Sequence, residues 1–281
     1  MHIGPDPGQP GSAAPGAGGD PPAAAPPAPG TSGISAAPGT AGASGTPPAP
    51  PASRGLLLVG PGTAFGVQLL RRFGREGFRL ATVSRSADTV ARVTAELAAD
   101  GLPVAGAVAD VTDQPAFTAA VGRLADQLDG LTVVVYNAKL SIRGTAFTVR
   151  AETMNQTLAV NVTGALTTIQ AAAPLLADRP GATILLTVAG PRSEPVTGRF
   201  ALAVGKAGLA ALGDAMGPAL AAQGVRLRTV VLDSRVGPDG PLLPDAVADH
   251  FWQAFAAPGG SVFRLAAARR RRPVAQLPLE V

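Results

Sequence analysis

From Leu56 to Leu265 the chain alternates short, largely apolar runs with longer stretches in which apolar residues recur every three or four positions. The runs are Leu56–Val59, Phe78–Val83, Leu102–Ala109, Leu131–Tyr136, Thr183–Val188 and Val225–Leu232, with Ser261–Leu265 as a seventh. Runs of this length bounded by turn residues predict strands. The periodic stretches predict helices. Val67–Arg75 is the first, and a second, capped by Ser86, reaches Ala99 with Val90, Val93, Leu97 and Ala98 near a helical period. Asp113 caps a third over Ala116–Leu128; Thr153–Leu176, Thr197–Gln223 and Asp245–Phe255 follow. Strand and helix in alternation predict an α/β doubly wound parallel sheet with helices on both faces. The strands read as continuous apolar runs, as they do when both faces are covered.

Composition divides the chain. From Met1 to Ser53, 38 of 53 residues are Pro, Gly or Ala, with no aromatic residue. Such a segment cannot bury enough apolar surface to offset chain entropy and reads as a disordered extension. Residues 54–265 suit one domain, and 266–281 read as a basic tail around Arg269–Arg272. No aromatic residue interleaves with those arginines, so a solvated tail is preferred to a nucleic-acid or membrane contact. The net charge is only +4. There is no cysteine, which excludes disulfides and a thiol nucleophile, and His2 and His250 are isolated, which argues against a metal site of usual spacing and against a Ser/His/Asp triad. The start, MHIGPDPGQP, lacks a basic and then an apolar region, so no secretory signal is read. Thr153–Ala177 is free of charge but carries Thr, Asn and Gln throughout, which argues against a membrane span. A soluble cytoplasmic protein is the expectation.

Candidate chemistry starts at Gly55–Gly66, GLLLVGPGTAFG, where a strand, a Gly-rich turn and a helix follow one another. Glycines let the backbone approach a pyrophosphate, and the helix N-terminus offers free N–H groups and a positive dipole end. In open α/β sheets the ligand lies beyond the C-terminal ends of the strands. That edge collects Gly60–Gly66, Ser84-Arg85, Asp110, Tyr136–Lys139, Thr187–Gly190 and Leu232–Arg235.

Together these residues resemble the short-chain dehydrogenase/reductase family over about Arg54 to Leu265. The Gly-rich turn is Val59-Gly60-Pro61-Gly62-Thr63-Ala64-Phe65-Gly66, with Ala64 where the family has its middle glycine. Asp110-Val111, Asn137-Ala138-Lys139, Asn161-Val162 and Lys206-Ala207 follow in the family's order and spacing. The resemblance implies a Rossmann-type fold and a nicotinamide cofactor held by Gly60, Gly62, Thr63, Phe65, Gly66, Ser84, Arg85, Asp110, Val111, Asn137, Ala138 and Lys206. Ser84-Arg85 follows the second strand, where the adenosine ribose lies in such folds. A hydroxyl and a guanidinium there suit a 2′-phosphate, so NADP(H) is preferred to NAD(H). Asn161, Thr187 and Lys206 are the candidate catalytic residues that the resemblance implies.

The departures bear on chemistry. Leu202 stands where the family has tyrosine, four residues before Lys206, and the chain's one tyrosine is Tyr136. The family's serine is also missing: Ala189 lies 13 residues before Leu202 and Thr187 lies 15 before it. Asp233-Ser234 replaces the family's Pro-Gly. General acid catalysis is worth about 10²–10⁴ in rate, so an NADP(H)-dependent oxidoreductase needs another proton source here. Its substrate is a small molecule, a carbonyl compound, an enone or a quinone. A non-catalytic NADP(H)-binding sensor or scaffold is the alternative. The two long helices are apolar or small on nearly every face, which predicts burial. The family commonly pairs through these helices, so a homodimer or homotetramer is expected.

Overall fold

In a computed structural model the chain is described over residues 54–62, 65–189 and 198–267. The expected N-terminal extension, Thr63, and the four-arginine run lie outside these residues. Strands β1 (Gly55–Val59), β2 (Arg79–Ser84), β3 (Val104–Val108), β4 (Val133–Tyr136), β5 (Thr183–Ala189), β6 (Arg226–Leu232) and β7 (Val262–Leu265) form one parallel sheet. Its order is β3-β2-β1-β4-β5-β6-β7. The order reverses between β1 and β4, and the crevice at that switch point is where such sheets bind ligands. The helices are α1 (Gly66–Arg75), α2 (Ala87–Ala99), α3 (Gln114–Gln127), α4 (Ala151–Leu158), α5 (Gly164–Leu176), α6 (Phe200–Ala221) and α7 (Pro244–Ala256). The Rossmann-type doubly wound α/β fold expected from the sequence is the fold observed.

Two cores sandwich the sheet. On one face Leu69, Leu70 and Phe73 of α1 and Val247 and Phe251 of α7 pack with Leu56, Leu58, Val133 and Val135. Phe73, Phe78, Trp252 and Phe255 add a ring cluster with centroids 5.2 to 6.2 Å apart. On the other face Phe117, Val121, Ile169 and Leu209 pack with Leu57, Val134, Ile184 and Leu186. Each such side chain contributes about 1.5–3 kcal/mol when removed from water. The predicted caps form: Ser86 Oγ accepts from Thr89 N–H at 3.2 Å, and Asp113 Oδ1 accepts from Ala116 N–H at 3.2 Å. The third strand is shorter than its apolar run and partly exposed, because β3 closes one edge of the sheet and has one strand neighbour.

The long helices differ from expectation in two ways. The first begins at Ala151 and is interrupted by a π turn over Ala159–Thr163. A π turn loosens the i→i−4 ladder, and Tyr136 meets it by donating its hydroxyl proton to Val160 O. The second runs over Phe200–Ala221 and is not buried all round. It covers the sheet with Ala201, Gly205, Lys206, Leu209, Gly213 and Leu220, while Ala203, Ala207, Ala211, Ala215 and Ala219 face outward. Small side chains lower the cost of that exposure. By length and composition both helices could cross a membrane, yet both lie along the sheet.

Candidate active site

The loops after β1 and β4 are locked together. Gly60 has φ +74°, and a Cβ there would lie 2.5 Å from Ala138 Cα, so a larger residue would push the loops apart. Asn137 closes the junction: its N–H donates to Val59 O at 2.9 Å and its Nδ2 donates to Gly60 O at 2.8 Å. Gly66 opens α1 directly against the turn, where a Cβ would stand 1.9 Å from Pro61 O. The first turn of α1 has no capping side chain, which leaves its N–H groups for an anion.

Around this junction lies a cleft of about 370 Å³. It brings together Gly60, Gly62, Phe65, Ser84, Arg85, Asp110, Val111, Asn137 and Ala138, all named above from sequence. Gly66 stands beside it at the start of α1, and Thr63 is outside the described residues. Arg85 is exposed at the rim. Arg92, which the sequence reading missed, extends Nη2 to Gly62 O at 3.2 Å. It lies on α2, whereas Arg85 precedes the Ser86 cap of that helix.

A second cleft of about 340 Å³ shares Phe65, Asn137 and Lys139 with the first. Lys206, Leu202, Thr187 and Ala189 line it, as do Arg199 and Arg235. Lys206 is buried, and its Nζ donates to Thr187 O at 2.6 Å. Burial first, and then the nearby Lys139 charge, lower its pKa to about 7. Thr187 Oγ1 is itself buried and makes no hydrogen bond among the described residues, so this residue serves Lys206 through its backbone. Leu202, one turn before Lys206 on α6, contributes an apolar wall.

Asn161 sits in the π turn, not in the cleft wall. Its Oδ1 accepts from Leu140 N–H at 2.8 Å, and its Nδ2 donates to Leu140 O at 3.0 Å. It therefore fixes the segment that carries Lys139. Helix α6 approaches it at Gly205, where a Cβ would meet Asn161 Nδ2 at 2.9 Å. Tyr136 is buried behind this segment, its phenol held neutral by desolvation and secondarily by Asp110.

The family model described as short chain dehydrogenase matches residues 55–233, more than half of the chain. The chain belongs to the short-chain dehydrogenase family. Membership carries the class of nucleotide-binding oxidoreductases built on this fold. Inactive 2-(S)-hydroxypropyl-CoM dehydrogenase 2 of Xanthobacter autotrophicus is 32% identical over 158 residues, 56% of this chain and 66% of that protein. The chain spans between half and two thirds of the length of the first three curated relatives it matches. Among solved structures, a short chain dehydrogenase from Mycobacterium smegmatis superposes with a TM-score of 0.68 at 20% identity, over 78% of this chain and 93% of that one. An actinorhodin polyketide ketoreductase solved with NADPH gives 0.67 at 19% identity, over 76% and 96%. At these identities the two structures speak to the fold alone.

Proposed function

We propose that this short-chain dehydrogenase is an NADP(H)-dependent oxidoreductase that transfers hydride without a tyrosine acid. The observation that carries the reading is Lys206, buried beside Leu202 in a cleft continuous with the nucleotide cleft. The residues fit the cofactor. Among the described residues, a Cβ at Gly62 would meet only Asn137 Nδ2, at 3.8 Å, so the turn leaves room beside its backbone. The uncapped α1 start suits a pyrophosphate, and Ser84, Arg85 and Arg92 suit a 2′-phosphate, with no carboxylate directly after β2. NADPH, when bound, supplies the hydride.

The chain's own residues do the rest. Asn137 and Asn161 hold the loops that form the cleft walls. Leu202 and Phe65 exclude water. Lys206, with a pKa near 7, holds a transferable proton on Nζ at neutral pH, which is where a general acid works best. Enones and quinones are the favoured acceptors, because their negative charge is delocalised before the proton arrives. The outward alanines of α6 support a homodimer or homotetramer packed through the long helices, since small residues let backbones approach closely.

A second reading is a protein that binds NADP(H) without turnover. Leu202 and Ala189 stand where the family's two hydroxyls would be, and the relative from Xanthobacter autotrophicus carries "Inactive" in its name. Calorimetric dissociation constants for NADPH and NADH, followed by single-turnover NADPH oxidation with ketones, enones and quinones, separate the two. NADPH preference with turnover supports the oxidoreductase. NADPH preference with no turnover across the panel supports the binding protein. Equal or absent binding of both nucleotides removes the NADP(H) reading.

A further inference from the structure

The second cleft is charged in one sense. Four basic side chains, Lys139, Arg199, Lys206 and Arg235, line it, and among its described lining residues there is no aspartate or glutamate. The acid nearest in sequence, Asp233, is turned to Arg264, whose Nη1 lies 2.9 Å from its Oδ1. Arg199 gives one N–H to Ser141 Oγ at 2.9 Å, and Arg235 reaches the backbone carbonyl of Asp239 at 3.4 Å. Neither arginine has a carboxylate within ion-pair distance among the described residues, whereas Arg71, Arg72, Arg79 and Arg92 each have one. A guanidinium carries five N–H donors, so both keep donors to spare.

Both arginines lie in segments held by backbone bonds, one before α6 and one after β6. Arg199 precedes α6, where Gly144 N–H donates to Gly198 O at 3.0 Å and Phe200 N–H donates to Gly144 O at 3.1 Å. Arg235 follows β6 in a loop pinned by the bridge between Val236 and Leu242. Lys139, Arg199 and Arg235 are exposed to solvent and Lys206 is buried; like charges gathered around one space repel, and an anion entering it relieves the repulsion. Phe65, Leu202 and Val236 line the same cleft, so its ligand has an apolar body as well as a charged end.

We propose that this cleft selects an anionic substrate: a carbonyl, enone or quinone compound bearing a carboxylate or a phosphate monoester, its charged end held by Arg199 and Arg235. The proposal rests on the oxidoreductase reading and adds the substrate class to it. The test is titration calorimetry on the full chain, with and without NADPH, at about 50 mM salt so that screening stays weak. The probes are two matched pairs: levulinate with its methyl ester, and dihydroxyacetone phosphate with dihydroxyacetone. In at least one pair the charged member is expected to bind about 10- to 100-fold more tightly, the scale of a charge-assisted hydrogen bond. The pair that shows it tells carboxylate from phosphate.

Arg199→Gln with Arg235→Gln should abolish that preference. Arg199→Lys with Arg235→Lys, which keeps the charge, should restore part of it. Arg75→Gln with Arg123→Gln removes the same charge from exposed sites on α1 and α3 and should leave the preference intact. Equal binding of charged and neutral members in both pairs, or a preference that survives the double glutamine variant, overturns the proposal. Charge preference without any NADPH binding would leave the anion site standing and remove the cofactor reading; NADPH binding without charge preference would do the reverse.

Discussion

Lys206→Met should stabilise the folded chain at neutral and mildly acidic pH, although it deletes a hydrogen bond. Lys206 is buried, and its pKa falls from the ordinary 10.5 to about 7. At about 1.4 kcal/mol per pH unit, holding its ammonium in this site costs roughly 5 kcal/mol. The bond to Thr187 O favours the ammonium, but the depressed pKa already carries that contribution, so the net balance stands against the charged lysine. The sign with pH follows from the protons bound. Below pH 7 folded and unfolded chains both hold this proton, and the full penalty applies. Between about 7 and 10.5 the unfolded chain still holds it and the folded chain has released it, so stability rises with pH. Urea unfolding of parent and Lys206→Met at pH 6, 7.5 and 9 reads the difference and cancels every other titrating group. The gap should favour the methionine variant at pH 6 and shrink by about 2 kcal/mol or more toward pH 9. A variant less stable than the parent by the same amount at all three pH values would refute the reasoning, because Lys206 would then keep an ordinary pKa in the fold.

Four further outcomes are expected. Arg85→Ala should weaken NADPH binding by about 10- to 100-fold and leave NADH nearly unchanged, as read by calorimetry; equal losses would take Arg85 off the 2′-phosphate. Tyr136→Phe should cost about 1–2 kcal/mol in urea unfolding, since Val160 O loses its donor, while retaining most turnover; loss of turnover with NADPH still bound would make Tyr136 the acid. Leu202→Tyr with Ala189→Ser should raise single-turnover reduction of simple ketones above the parent, and no gain would show that the cleft geometry does not accept the family's hydroxyls. Ala211→Arg, on the outward stripe of α6, should lower the mass found by light scattering if the long helices form the subunit contact; an unchanged mass places the contact elsewhere.

Much of this architecture is written in local pattern. The apolar runs predict every strand because a parallel strand buried on both faces needs an unbroken run. The caps at Ser86 and Asp113 are legible because the residue that caps also borders its own helix. The grouping of residues around the first cleft is legible for the same reason, as they follow the ends of β1, β2, β3 and β4. What escaped depends on partners distant in sequence. The role of Asn161 needs Leu140, 21 residues away, and the π turn shows only when Tyr136 and Gly205 are seen against it. Arg199 looked like one of many arginines, since nothing local says that it turns toward Lys139 and Lys206. The alanine stripe misled by hydropathy alone: small residues read as apolar, yet they tolerate water.

The two substitutions that set this chain apart act in one direction. A tyrosine acid delivers its proton close to a carbonyl oxygen, and the serine position adds a second donor; Leu202 and Ala189 supply neither. Charge developing on an isolated alkoxide beside Leu202 would face an apolar wall, which disfavours it by several kcal/mol. The remaining positive groups, Lys139, Lys206, Arg199 and Arg235, surround the same space without a carboxylate among the described lining residues. They stabilise negative charge that is spread over several atoms better than charge fixed on one, because no single donor has to sit at hydrogen-bond distance from the reacting oxygen. An enolate or a quinol anion has that spread, and on the proposed reading Lys206, with a pKa near 7, would hold the proton that such an anion takes up. On the proposed oxidoreductase reading, the loss of the phenol and the gathering of basic groups favour one class of acceptor, a conjugated compound whose charge is delocalised in the transition state.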